Sequence, residues 1–230
     1  TDADNIGDVE IEVLGGLKIN GTPANPVLFK PYETTTNKNY WTGIVINSSI
    51  SNESLNFFKV YNANTGIDIS SPVTITGGTV RNSGGTGINV NTISNGDVSL
   101  NDITVKHSDD NGIVVNSPNV TANWVLVDSC DGVGLFNKQN GILTVTNMVV
   151  TNCNLDGIFN YDGNITLNNC YIEDNGRFGL HNSSGDAIIQ YCDLKDNAES
   201  GLIIGGTGTT TTSFSSFTGN GGTGVDITGW

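Results

Sequence analysis

The stretch Lys106-His107-Ser108-Asp109-Asp110 brings a cation, an imidazole and two carboxylates together, and acid-base chemistry is what it could serve. Asp109 and Asp131 lie 22 residues apart, and Asn154 follows 23 later. If that interval is one turn of a coil, their oxygens stack about 4.8 Å apart, where carboxylates repel unless solvent or a cation separates them. Hard oxygen donors so placed suit Ca2+, so Asp109 and Asp131 are the candidate metal ligands, against a plain solvated acidic turn. No other cofactor is required. Phe136, Phe159 and His181 recur at intervals of 23 and 22 and would form an outward row, with Lys138 and Tyr161 at one edge. Exposed aromatic rows stack on sugar rings or anchor a partner. Neither His107 nor His181 has an acid-base partner evident from spacing, and no Ser-His-Asp set can be built from it.

These intervals belong to a repeat that runs through the chain. A Gly followed by Ile, Leu or Val recurs at Gly43, Gly66, Gly87, Gly112, Gly134, Gly157, Gly179, Gly201 and Gly224, with gaps of 23, 21, 25, 22, 23, 22, 22 and 23. Gly16-Leu17-Lys18-Ile19 is an earlier relative. Counting from each anchor, apolar residues fall in columns: Ile67, Ile88 and Ile113 one after it, Val105, Val127 and Val150 seven before, Leu100, Val145 and Leu167 twelve before. Each run alternates in steps of two, as a strand with one buried face must. The pattern predicts an all-β, right-handed parallel β-helix of nine to ten coils of about 22 residues, with three short strands per coil. It reads as one domain over 1–230, with N-terminal coils in 1–42, a loop at 31–40, and regular coils over 43–230.

The bends should carry small polar groups that stack and satisfy one another. Four residues before the anchor stand Asn62, Ser83, Ser108, Cys130, Cys153, Asn175, Asn197 and Asn220, and Asn137, Asn160 and Asn182 share a second bend. Both sets are expected to be structural ladders rather than sites. Cys130 with Cys153 and Cys170 with Cys192 fall one coil apart, which suits either a disulfide or stacked buried thiols. Their neighbours Val and Met favour thiols, and their spacing matches no metal or redox motif. An ice-binding array is not expected, because Thr74-Ile75-Thr76 finds no Thr-x-Thr on adjacent coils.

Net charge is -14, from 9 Lys and Arg against 23 Asp and Glu. Such a balance argues against nucleic acid and against an anionic membrane surface. No apolar run is long enough to insert in a membrane, and no signal peptide opens the sequence. The acidic, Thr/Asn/Gly-rich, lysine-poor composition suits an extracellular or cell-surface setting.

The stretch "GLFNKQNGILTVTNMVVTNC" with "GIFNYDGNITLNNCYIEDN" resembles the right-handed parallel β-helix repeats of the pectate-lyase-like superfamily, and is similar in particular to non-catalytic repeats of bacterial surface and adhesin-like proteins. That resemblance implies a surface stalk, adhesin or self-assembling unit. The superfamily also holds lyases and hydrolases, so a polysaccharide-binding or polysaccharide-cleaving module is the alternative. Lys106 to Asp110 is similar to the hydrolases' acidic pair, but the companion Gly-His-Gly and Arg-Ile-Lys elements are absent, which leans against catalysis. The chain stops at Trp230 in mid-coil, so it is expected either to be cut from a longer chain or to pair end to end with another copy.

Overall fold

The computed structural model describes residues 7–31, 38–48, 53–94, 96–139 and 141–228. The polar opening 1–6, most of the expected loop 31–40 and Trp230 lie outside the described residues. Two parallel sheets wrap the rod. A narrow sheet of ten strands runs from Gly7–Val13 through Trp41–Ile46 to Val225–Ile227, each strand pairing with its counterpart one coil on. A broad sheet of 14 strands forms the rest of the wall. None of the described residues is helical.

The anchor glycines mark where successive coils approach too closely for a side chain. A Cβ on Gly134 would fall 2.6 Å from the Gly157 carbonyl oxygen and against the Val150 side chain. From there the register follows the columns: Ile113 pairs with Leu135, Val127 with Val150, and Val145 with Leu167. All of these point inward and are essentially inaccessible. Burial of each such side chain contributes about 1.5–3 kcal/mol, which is the dominant force closing the coil.

Three strands per coil holds only for the C-terminal half. Glu53–Tyr61, Val73–Arg81, Val98–Lys106 and Val120–Asp128 are single strands of nine residues. Later coils split at the same place, as in Ile142–Thr146 and Val149–Thr151. The break falls on a column of left-handed residues: Asp102 (φ 54°), Trp124 (φ 55°), Asn147 (φ 55°), Asn169 (φ 55°), Tyr191 (φ 54°) and Phe214 (φ 52°). That single inverted residue bends the broad sheet into two limbs, whether or not the pairing is interrupted. A bulky side chain there is unusual, since left-handed backbone crowds its Cβ.

The expected ladders form at the bends where asparagines stack, but not at Ser83 and Ser108, whose short side chains are buried with their hydroxyl oxygens unpaired. Asn175 and Asn197 each donate from Nδ2 to the Oδ1 of the next rung, Asn197 and Asn220, at 3.0 Å. Cys153 heads this column by donating its backbone N–H to Asn175 at 3.1 Å. Asn62 is corrected: it bonds Asn82 at 3.1 Å, and Ala63 takes the place opposite Ser83. The turn from Ala63 to Gly66 is one residue shorter than the one from Ser83 to Gly87, so a fixed count from the anchor slips by one. In the second ladder Asn137 donates to Asn160 and Asn160 to Asn182, both at 2.7 Å, and all three are fully buried.

All four cysteines are free and buried. A hydrogen bond shared with Cys130, then burial, pushes the Cys153 thiol up, and Cys192 with burial does the same to Cys170. Cys130 and Cys153 fill the ladder column and Cys170 and Cys192 an apolar one, all four as small buried side chains.

Candidate functional site

Three narrow-sheet strands, Leu135–Asn137, Ile158–Asn160 and Leu180–Asn182, pair without a register shift. Alternation turns their first and third residues inward and leaves Phe136, Phe159 and His181 facing out, half-buried. The rings stack along the rod: Phe136 to Phe159 at 5.1 Å and 13°, Phe159 to His181 at 4.6 Å and 24°. The row exists, but its ring faces are turned toward one another. Lys138 Nζ covers Phe136 at 5.5 Å, and Tyr161 meets Phe159 edge-on at 6.1 Å. A sugar needs a free ring face, so the stacked phenylalanines support the patch while Tyr161, 51% exposed, is the aromatic open to a ligand.

His181 does have an acidic partner, and it comes from the turn of the preceding coil. Asp156 Oδ2 lies 3.3 Å from His181 Nδ1, with the Asp156 side chain only 2% exposed. Its Oδ1 accepts the Phe178 backbone N–H at 3.4 Å and faces Arg177 Nη1 at 3.7 Å. Arg177 lies 5.0 Å over the Phe178 ring, and its Nε reaches Glu199 at 3.7 Å. Phe178 in turn packs edge-on against His181 at 5.5 Å. A carboxylate only accepts, so Nδ1 carries the hydrogen toward Asp156 and Nε2 is the ring nitrogen left for a ligand. The arrangement offers a hydroxyl-rich ligand an imidazole and a guanidinium held by one buried carboxylate, with the Tyr161 phenol linked to them through Phe159.

Asp156, Arg177 and Glu199 were missed in the sequence. They stand one or two residues before an anchor Gly, in the turn, where apolar alternation carries no information. The signal that could have found Asp156 is a charged residue in a turn column whose counterparts are neutral, since Asn111 and Val133 precede it there; Arg177 and Glu199 share a column with Asp110 and carry no such signal.

The other candidates do not converge. Asp109 is ion-paired with Lys38, and Asp131 Oδ1 accepts from Asn154 Nδ2 at 3.1 Å. Among the described residues no group of three or more His, Cys, Asp or Glu side chains is placed to hold a metal ion. Lys106 pairs with Asp128 at 2.8 Å, Asp110 accepts from Thr86 at 3.0 Å, and His107 sits in a left-handed bend. Lys106, Asp109 and Asp110 thus each have a separate partner, and none of them is His107.

A family model described as "Right handed beta helix region" matches residues 95–230. The chain belongs to the right-handed β-helix family, and the handedness expected from the repeat is that of the family. Among solved structures it is similar to the enzymatically active domain of bacteriophage CBA120 tailspike protein 2, at 13% identity and a TM-score of 0.60, over 93% of this chain and 39% of that one. The A-module of the Azotobacter vinelandii mannuronan C-5 epimerase AlgE6 matches at 16% identity and a TM-score of 0.60, over 93% of this chain and 69% of the module. A Geobacillus virus E2 protein, ORF18, matches at 13% identity and a TM-score of 0.54, over 96% of this chain and 51% of that one. At these identities the likeness is one of fold. No curated protein sequence matches the chain.

Proposed function

We propose that this chain is an extracellular β-helix module of a surface stalk or adhesin, and that it contacts a glycan without cleaving it. The observation that carries the reading is the buried Asp156 carboxylate, which orients His181 and Arg177 at the surface, beside the aromatic stack whose Phe159 meets exposed Tyr161. Polar groups held in place before binding lose little freedom on contact, which is how a shallow site gains affinity. A net charge of -14 favours a neutral glycan over a polyanion. The tailspike and the mannuronan epimerase are rods of the same fold, and the second carries a polysaccharide in its name.

A glycan array tests this directly. Wild-type protein is expected to bind a neutral glycan, and Tyr161→Ala or Arg177→Gln to weaken that binding about tenfold or more. Equal binding by all three proteins rejects the patch. A cleaving module is the second reading, and the His181–Asp156 pair favours it, since a carboxylate-held imidazole is a competent general base. New reducing ends or unsaturated products from any bound glycan, lost in His181→Asn, would select it over simple binding.

A further inference from the structure

The bend divides the broad sheet into two outward faces built by the same chain segments on the same coils. On the first limb, one column runs Thr74, Ser99, Thr121, Thr144 and Thr166, and its neighbour runs Thr76, Asn101, Asn123, Thr146 and Asn168. The Thr-x-Thr of residues 74–76 therefore does recur in register, with Ser and Asn standing in for Thr. On the second limb the columns are Thr79, Thr104, Leu126, Val149 and Tyr171, then Arg81, Lys106, Asp128, Thr151 and Glu173. None of the first ten residues is charged, and four of the second ten are.

A face kept free of charge in so acidic a chain has nothing to offer an ionic ligand. Its hydroxyls and amides each donate and accept, as sugar hydroxyls do. They repeat every coil, about 4.8 Å, so a ligand that fills the face must itself repeat. On these coils one exposed aromatic borders it at the bend, Trp124 at 63% accessible, with exposed Asp102 one coil earlier; on the next two coils the bend carries Tyr191 at 56% and Phe214 at 78%. These sit in left-handed backbone, at positions where Gly77 shows that glycine is accommodated (φ 67°). Aromatic rings add contact area for the C–H faces of sugars, whereas a water lattice gains nothing from them.

We infer that the first limb is a second binding face, for a neutral polysaccharide presented as an ordered array of chains. It involves none of the residues around Tyr161, so it stands or falls separately from that patch.

The test is sedimentation of the full chain with microcrystalline cellulose and with crystalline chitin. Wild type is expected to leave the supernatant with at least one of them. The double variant Thr144→Lys/Thr166→Lys places two charges on the face without touching the core, and is expected to lower retention about tenfold. Trp124→Gly should lower it less, and Thr151→Lys on the second limb should leave it unchanged; far-UV circular dichroism confirms that each variant is folded. Retention equal in all variants, or no retention on either solid, overturns the inference. So does inhibition of ice recrystallisation by wild type that Thr144→Lys/Thr166→Lys loses, since the face would then read frozen water.

Discussion

Leu167 and Ile172 stand on either side of the Asn169 bend, both fully buried in one continuous core. Their outward neighbours differ: Thr166 and Asn168 belong to the uncharged limb, while Glu173 on the other limb takes a salt bridge from Lys195 at 3.0 Å. Inside, the two limbs obey one rule of apolar alternation. Outside, one has been kept neutral and the other filled with ion pairs running along the rod. The inward columns must repeat or the coil does not close, so specific chemistry in such a fold is written on the outward columns and in the turns.

The strongest challenge to this comparison is to the sameness of the interior. Leu167→Ala and Ile172→Ala are each expected to cost about 2–5 kcal/mol in urea unfolding. A cost for one but not the other would show that the limbs are not supported alike.

A smaller effect separates the exteriors by pH. Burial raises the Asp128 carboxyl, but hydrogen bonds from Lys106, Ser129 and Asn152, with the Lys106 charge, outweigh it and hold the group below its usual range. A depressed folded pKa stabilises fully above the unfolded value near 3.9, and the contribution is lost as pH falls through the folded value. Lys106→Gln should let Asp128 titrate closer to that ordinary value, seen by NMR of its carboxyl carbon. For so exposed a pair the accompanying loss of stability is at most about 1 kcal/mol. The first limb has no charged outward group over these coils and should show no counterpart.

The smallest expected effect is on stability when charge is added outside. Thr144→Lys and Thr151→Lys should each unfold within about 0.5 kcal/mol of wild type. A larger cost at Thr144 alone would mean that neutrality on the first limb serves folding rather than binding.

The coil register was legible because Gly134 and its equivalents tolerate no side chain and so recur at nearly every turn. The Asn137, Asn160 and Asn182 ladder and the Phe136, Phe159, His181 row followed from that register alone. Asn62 slipped because one turn is a residue shorter. The merging of strands through Trp124 was hidden, since left-handed backbone is taken here by Asp, Trp, Asn, Tyr and Phe alike. Asp156 was invisible because its contacts reach from a turn into the next coil, where no periodicity guides the eye. The neutral limb escaped because a search for repeated Thr overlooks Ser and Asn, which offer equivalent hydrogen-bonding groups.

The amides of Asn137, Asn160 and Asn182 point the same way, each nitrogen toward the next oxygen, with Thr210 accepting the last at 2.9 Å. At the other extreme the Asn137 Oδ1 is left without a hydrogen-bond partner. Such a chain of aligned dipoles has a head and a tail, and opening it anywhere strands buried groups on both sides of the gap. Fraying that starts at either extremity of the rod should therefore halt at these coils, and their backbone amides should exchange with solvent together or not at all.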